Sequence, residues 1–288
     1  MALITPYVFF IVSAACSTGA LLLNLGFIFV YFKQKPKEKT HFAILLFAVI
    51  VHTLYDLSCA LYNGYILTSL HSGTWNTTIV FWSGNVAFSF MLTIIVCNCC
   101  ITIDRIVAMR SMVLYNLKYA KYCRVLCVIL IATSFFMSFF YDYIGLLSTP
   151  SATPPTFNTM VYPHVLSELS LARTLCCIVN VGLTVVFVIE TRSFLNRPTS
   201  QTTRNLVKKI NQVVLSQIAM ESLILVLPDL ITQACDWFFY VNLRQVIGSY
   251  PIALCSFYTI CSSVLLTHKL WKSRRPQRNQ TLQISSTL

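Results

Sequence analysis

The sequence predicts an all-α membrane protein, a seven-transmembrane helix bundle with its N-terminus outside and its C-terminus in the cytosol. Three observations carry this. Of 288 residues, 56% are hydrophobic and only 10% charged, against about a quarter charged in an ordinary soluble domain. Apolar runs recur seven times, each long enough to cross the roughly 30 Å of bilayer hydrocarbon that about 20 helical residues span. Eighteen of the 21 Lys and Arg fall in the connections 33–40, 110–124 and 190–212 and in the segment after Thr267, whereas Arg244 alone falls in a connection of the opposite side. Basic residues gather on the cytosolic side of membrane helices, so this bias sets the orientation.

The elements follow in order. The first span, 7–32, has no basic stretch before it and is too long for a signal-peptide core. It carries Asn24, and four lysines follow it in "KQKPKEKT". The second span, 42–69, contains Asp56; the connection after it holds no Lys or Arg but has "NTT" at Asn76–Thr78, an N-glycosylation acceptor pattern. The third, 79–107, contains Asn85 and the stretch "CNCCITIDR" ending in Asp104 and Arg105. The fourth is 125–147. The connection 148–163, "TPSATPPTFNTMVYP" within it, is too proline-rich for a helix. The fifth, 166–189, carries Glu168 and Arg173; the sixth, 213–234, carries Glu221 and Asp229, with Pro228 placed to kink it and free a carbonyl. The seventh is 246–267. A net charge of +12 reads as a topology signal with attraction to anionic lipid, with no nucleic acid as partner.

The polar residues inside these spans hold the chemistry. Twelve cysteines are many, but Cys97 and Cys100 lack the second ligand pair that structural zinc needs, so packing between helices is expected and no metal or cofactor. Asp104 lies about 36 Å along the third helix from Val80, at the cytosolic mouth. Two readings stand there: a terminal ion pair with Arg105 snorkelling to the interface, or a restrained Arg105 that swings to a partner as a charge-controlled switch. Counting along each helix puts Arg173 and Glu221 within roughly 5 Å of one depth, where a cross-helix ion pair is expected. Counting from the inner ends places Asp56 several ångströms above Asn24. No H-x-x-x-H, H-E-x-x-H or G-x-S-x-G motif occurs, so no enzyme is expected. A small-solute or ion transporter or channel using Asp56, Arg173 and Glu221 remains an alternative, although an odd helix number without repeats fits few transporter designs.

The stretch "TIDRIVAMRSMVLYNLKYAK" resembles the inner end of the third helix in G-protein-coupled receptors. "IDRIVAM" with the later Tyr115 is similar to the Asp/Glu-Arg-aromatic signature of the rhodopsin-like class, with Ile106 in the aromatic position. Short loops, a length near 290 and no outer cysteine pair look most like the divergent nematode serpentine chemoreceptors of the Srbc type. The likeness is specific over 103–115 and weaker at Asn24 in "LLLNLGF" and Asp56 in "HTLYDLSCAL". Two departures stand out. The seventh span lacks an Asn/Asp-Pro-x-x-Tyr motif, and "LVKKINQ" at the base of the sixth supplies no acid for the usual inner ionic lock. The resemblance implies a receptor domain over 1–275 with a short cytosolic tail, 276–288, in the plasma membrane and the sensory cilium. It implies a small external ligand bound between helices three, five, six and seven, with Asn85, Glu168, Arg173, Glu221 and Asp229 as candidate ligand or core polar residues. It also implies a heterotrimeric G protein at the inner face, coupled through Asp104, Arg105 and Tyr115.

Overall fold

The structure is a computed structural model that describes residues 4–33, 36–111, 115, 119–150, 155–196, 201–239 and 250–285. Among these, all regular structure is helical, apart from one bridge between Leu146 and Val161. The helices are α1 Ile4–Phe32, α2 Pro36–Ser72, α3 Thr77–Arg110, α4 Ala120–Ile144, a single turn α5 Phe157–Met160, and α6 Pro163–Asn196. They continue with α7 Gln201–Glu221, a π-turn Ser222–Val226, α8 Leu227–Phe239, and α9 Tyr250–Ser285. Seven stretches are long and apolar enough to cross a membrane: Tyr7–Phe32, Leu45–Ser72, Thr77–Arg110, Ala120–Ile144, Pro163–Asn196, Asn211–Cys235 and Tyr250–His268. The expected all-α bundle of seven spans is therefore present, and the chain is a multi-pass membrane protein. The last connection, with Arg244, lies outside the described residues.

Local chemistry sets the helix ends. Gly73 closes α2 in a left-handed conformation, φ 71°, and donates its N–H to the Ser69 carbonyl at 2.9 Å. Three residues on, the Asn76 side-chain oxygen caps α3 by accepting the N–H groups of Thr78 and Ile79 at 3.0 and 3.3 Å. In the sixth span, Pro228 cannot donate to the carbonyl of Ile224. The ladder lengthens there instead, and the Leu227 N–H reaches Ser222 as a π-turn.

The third span, α3, is the spine. It packs against α2, α4 and α6, and α1 closes the bundle against α2 and α9. Helix α4 lies outermost: Leu126, Ile129, Phe136, Met137, Phe140 and Ile144 are exposed, an apolar face suited to lipid tails. The proline-rich connection contains one helical turn, contrary to the expectation of none, because Pro155 precedes it and Thr156 caps it through a reciprocal bond with Thr159. That turn plugs the Asn76 end of the bundle. Phe157 is fully buried, stacks on Phe88 at 4.5 Å and on Phe81 at 5.9 Å, and donates its N–H to the Tyr62 hydroxyl. Gly84 makes room: a Cβ there would meet the Phe157 Cβ at 2.7 Å.

Candidate functional site

Polar groups inside a low-dielectric bundle must find partners, and in this chain they gather in three stations along α3 and a belt beside it. The first station is at the basic end. Asp104 is almost completely buried. Its carboxylate accepts Arg105 Nη2 at 2.5 Å and Nε at 3.0 Å through one oxygen, and the Tyr115 hydroxyl at 2.5 Å through the other. Both sequence readings of the pair need this contact, and Tyr115 adds a clamp from the following connection. Burial first, and then the neighbouring carboxylate, push the Tyr115 phenol above its usual range, so it stays a protonated donor at neutral pH.

The second station lies six residues, about 9 Å, back along α3. Glu221 is only 1% exposed. Its Oε2 accepts Asn98 Nδ2 at 2.8 Å and Asn180 Nδ2 at 2.9 Å. Asn98 Nδ2 also reaches the Tyr258 hydroxyl at 2.8 Å, and Thr102 donates to Asn180 at 3.2 Å. One carboxylate thus joins α3, α6, α7 and α9, directly before the π-turn. Its other oxygen, Oε1, is buried without a hydrogen-bond partner.

The third station lies towards the Asn76 end. Asn85 donates to the Phe139 carbonyl at 3.2 Å and accepts the Ser89 hydroxyl at 3.3 Å, tying α3 to α4. Arg173 is buried and points Nη1 at the Met91 sulfur, 3.5 Å away. Glu168 accepts the Tyr141 hydroxyl at the rim. Asp229, half-buried, sits in the first turn of α8.

The belt joins α1, α2 and α9. Asn24 donates to Asp56 at 3.1 Å, Thr259 donates to the other Asp56 oxygen at 2.8 Å, and Ser263 donates to Asn24 at 2.8 Å. The offset expected between Asn24 and Asp56 is therefore wrong. Helix α2 is 37 residues long, about 55 Å, so the edge of its apolar run does not mark the same depth as the edge of α1.

A second correction concerns Arg173 and Glu221, which do not pair. The one ion pair within 4.0 Å among the described residues is Asp104–Arg105. Arg173 meets Met91 and Glu221 meets Asn98, seven residues and about 10 Å apart along α3. Asn180, two turns beyond Arg173 on the same face of α6, takes Glu221 instead. The partners Asn98, Asn180 and Tyr258 were not singled out in the sequence, although an amide in an apolar span is itself a signal. Cys97 and Cys100 lie in the apolar core.

No protein-family model matches the chain, and neither does any curated protein. Function therefore rests on the site.

Proposed function

We propose that the chain is a seven-helix chemoreceptor, of the nematode serpentine type that residues 103–115 resemble, which binds a small external ligand and activates a cytosolic heterotrimeric G protein. The observation that carries this reading is the clamp at the basic end. Asp104 holds Arg105 by two hydrogen bonds and Tyr115 by a third, so a strong cation is restrained rather than pointing freely outward. A shift between Tyr115 and α3 removes one of the three bonds on the Asp104 carboxylate and so loosens the restraint on Arg105, the kind of local change that ligand switches bias.

The Glu221 station supplies a route for that bias. It grips α7 immediately before the π-turn and connects it to α3, α6 and α9. A ligand that changes the tilt of the outer half of the sixth span alters the grip on α3, about 9 Å from the clamp. The basic bias puts the clamp in the cytosol and Asn76 outside, with the plasma membrane and the sensory cilium as the sites of action. A transporter would need its ionisable residues along one path. Here Asp56 is enclosed by α1 and α9, and Glu221 by α3, α6, α7 and α9, which favours a switch.

The test is a calcium and cyclic-nucleotide screen over volatile and water-soluble odorants in cells expressing the chain. A ligand-dependent response is expected. Uptake of a solute with no G-protein response would select the transporter instead.

A further inference from the structure

The seventh span is tied to the first two by more hydrogen bonds than to the sixth. Ile252, Ser256, Thr259 and Ser263 lie on one stripe of α9 at helical spacing, each at most 1% exposed. Helix α1 carries a stripe of the same spacing, Ser13, Ser17, Ala20 and Asn24, buried to the same degree. Small side chains let the two helices approach closely, and a Cβ on Gly19 would meet Ile260 Cδ1 at 3.0 Å. A column of hydrogen bonds runs along this contact and takes in α2. Ser13 Oγ lies 3.0 Å from Ser256 Oγ, and Asn63 Nδ2 donates to Ser13 Oγ at 2.8 Å. The Tyr55 hydroxyl donates to the Ile252 carbonyl at 3.1 Å and lies 3.3 Å from Ser256 Oγ. The belt of Asn24, Asp56, Thr259 and Ser263 continues the same column.

Towards the sixth span, α9 makes two side-chain hydrogen bonds among the described residues. Gln217 Nε2 donates to Ser262 Oγ at 2.8 Å, and the Thr232 and Tyr250 hydroxyls meet at 2.6 Å. These contacts stand on either side of the π-turn Ser222–Val226, where the regular ladder of the span is already interrupted. Glu221 reaches α9 only through Asn98. In hydrocarbon no water takes over a hydrogen bond that is broken. Sliding α9 past α1 and α2 would break the whole column and strand Asn24, Asp56 and Asn63 together. Moving the sixth span breaks one contact on either side of the π-turn. The hydroxyls there can fall back on carbonyls of their own helices, as Thr232 already does on Pro228 at 2.9 Å.

We infer that α1, α2 and α9 form one rigid unit, and that the sixth span moves against it along the seam made by Gln217–Ser262 and Thr232–Tyr250. This deepens the receptor reading by naming the spans that stay fixed, and it rests on that reading only for what the motion triggers. The test uses the purified full chain in nanodiscs with carbon-13 in the methionine methyl groups. Met220, next to Glu221 in α7, reports on the sixth span, and its resonance is assigned by its loss in Met220→Leu. Two exchanging Met220 states are expected, and Gln217→Leu should change their ratio by roughly fivefold, the equivalent of one hydrogen bond. A second variant, Ser13→Cys with Ser256→Cys, places two thiols where the hydroxyls now meet, so mild oxidation by copper phenanthroline should join them. Peptide mass spectrometry locates the bond, with the native chain and each single variant as controls. The disulfide should form and leave the Met220 ratio unchanged, because it links helices that do not move apart. Failure of the link to form, or a link that shifts the ratio, overturns the rigid unit. A single Met220 state, or a ratio insensitive to Gln217→Leu, overturns the seam. The expected Met220 behaviour without any G-protein response leaves the inference standing and removes the receptor reading; a G-protein response with a ratio that the disulfide shifts does the reverse.

Discussion

Asp104 and Arg105 are adjacent in sequence, and their contact was legible from the string alone. Tyr115 is eleven residues from Asp104, and only the structure shows its hydroxyl reaching the carboxylate from beyond the end of α3. Tyr115→Phe removes one donor to a buried carboxylate, a hydrogen bond worth about 1.5–3 kcal/mol, and leaves Arg105 less restrained. The expected result is raised ligand-independent signalling at normal surface level, read by basal cyclic-nucleotide or calcium output. Unchanged basal output would mean that Tyr115 does not restrain the switch. Glu221 is the other decisive side chain. Glu221→Gln keeps an oxygen that can accept both Asn98 and Asn180, whereas Glu221→Leu strands two buried amides at about 1–3 kcal/mol each. Thermal unfolding should therefore show Gln near the native value and Leu strongly destabilised. Equal loss in both would mean that the charge itself is needed. Arg173 and Glu221 occupy different stations, so Arg173→Met and Glu221→Leu should add within about 0.5 kcal/mol. Cross-helix partners like these were not legible, because they depend on rotation and tilt, which residue counting ignores.

At the level of elements, the number and order of the spans could be read directly, since each needs its own apolar run. Their true ends could not. Helices α2, α3 and α6 run past the apolar edges, and depth counted from those edges misplaced Asp56 against Asn24. The turn that carries Phe157 was hidden by its prolines, which act here as a lead-in to a capped turn. Gly84 and Phe157 show what that turn contributes. A Cβ at residue 84 would force Phe157 out of its stack, so Gly84→Ala should lower Tm, and Phe157→Ala should cost about 3–5 kcal/mol as a buried aromatic truncation. Combined, they should cost less than their sum, because alanine at 157 removes the ring contacts at 2.8 and 2.9 Å, although the Cβ contact at 2.7 Å remains. Additive losses in the thermal-unfolding cycle would mean that the two do not meet.

The orientation of the whole molecule rests on the eighteen basic residues of one side and implies that Asn76 meets the glycosylation machinery. Asn76 also caps α3 through its side-chain oxygen, so Asn76→Gln tests two things at once and should lose about 1 kcal/mol of stability with the cap. Thr78→Ala separates them, destroying the acceptor pattern while keeping the cap. Both variants should run faster on a gel than the native chain, and only Asn76→Gln should unfold earlier. A native mobility in both would remove the assignment of Asn76 as a glycan site.

The central claim is that Arg105 is a restrained coupling group for a G protein. The most direct measurement is guanine-nucleotide exchange on heterotrimeric G proteins in membranes containing the chain, before and after a ligand found in the screen, for the native protein and Arg105→Ala at matched surface level. The account predicts ligand-stimulated exchange in the native chain and none above background in Arg105→Ala; the comparison is made at matched surface level because the Arg105 side chain is only 11% exposed and its loss leaves the buried Asp104 carboxylate with Tyr115 alone. Stimulated exchange that persists in Arg105→Ala would contradict it.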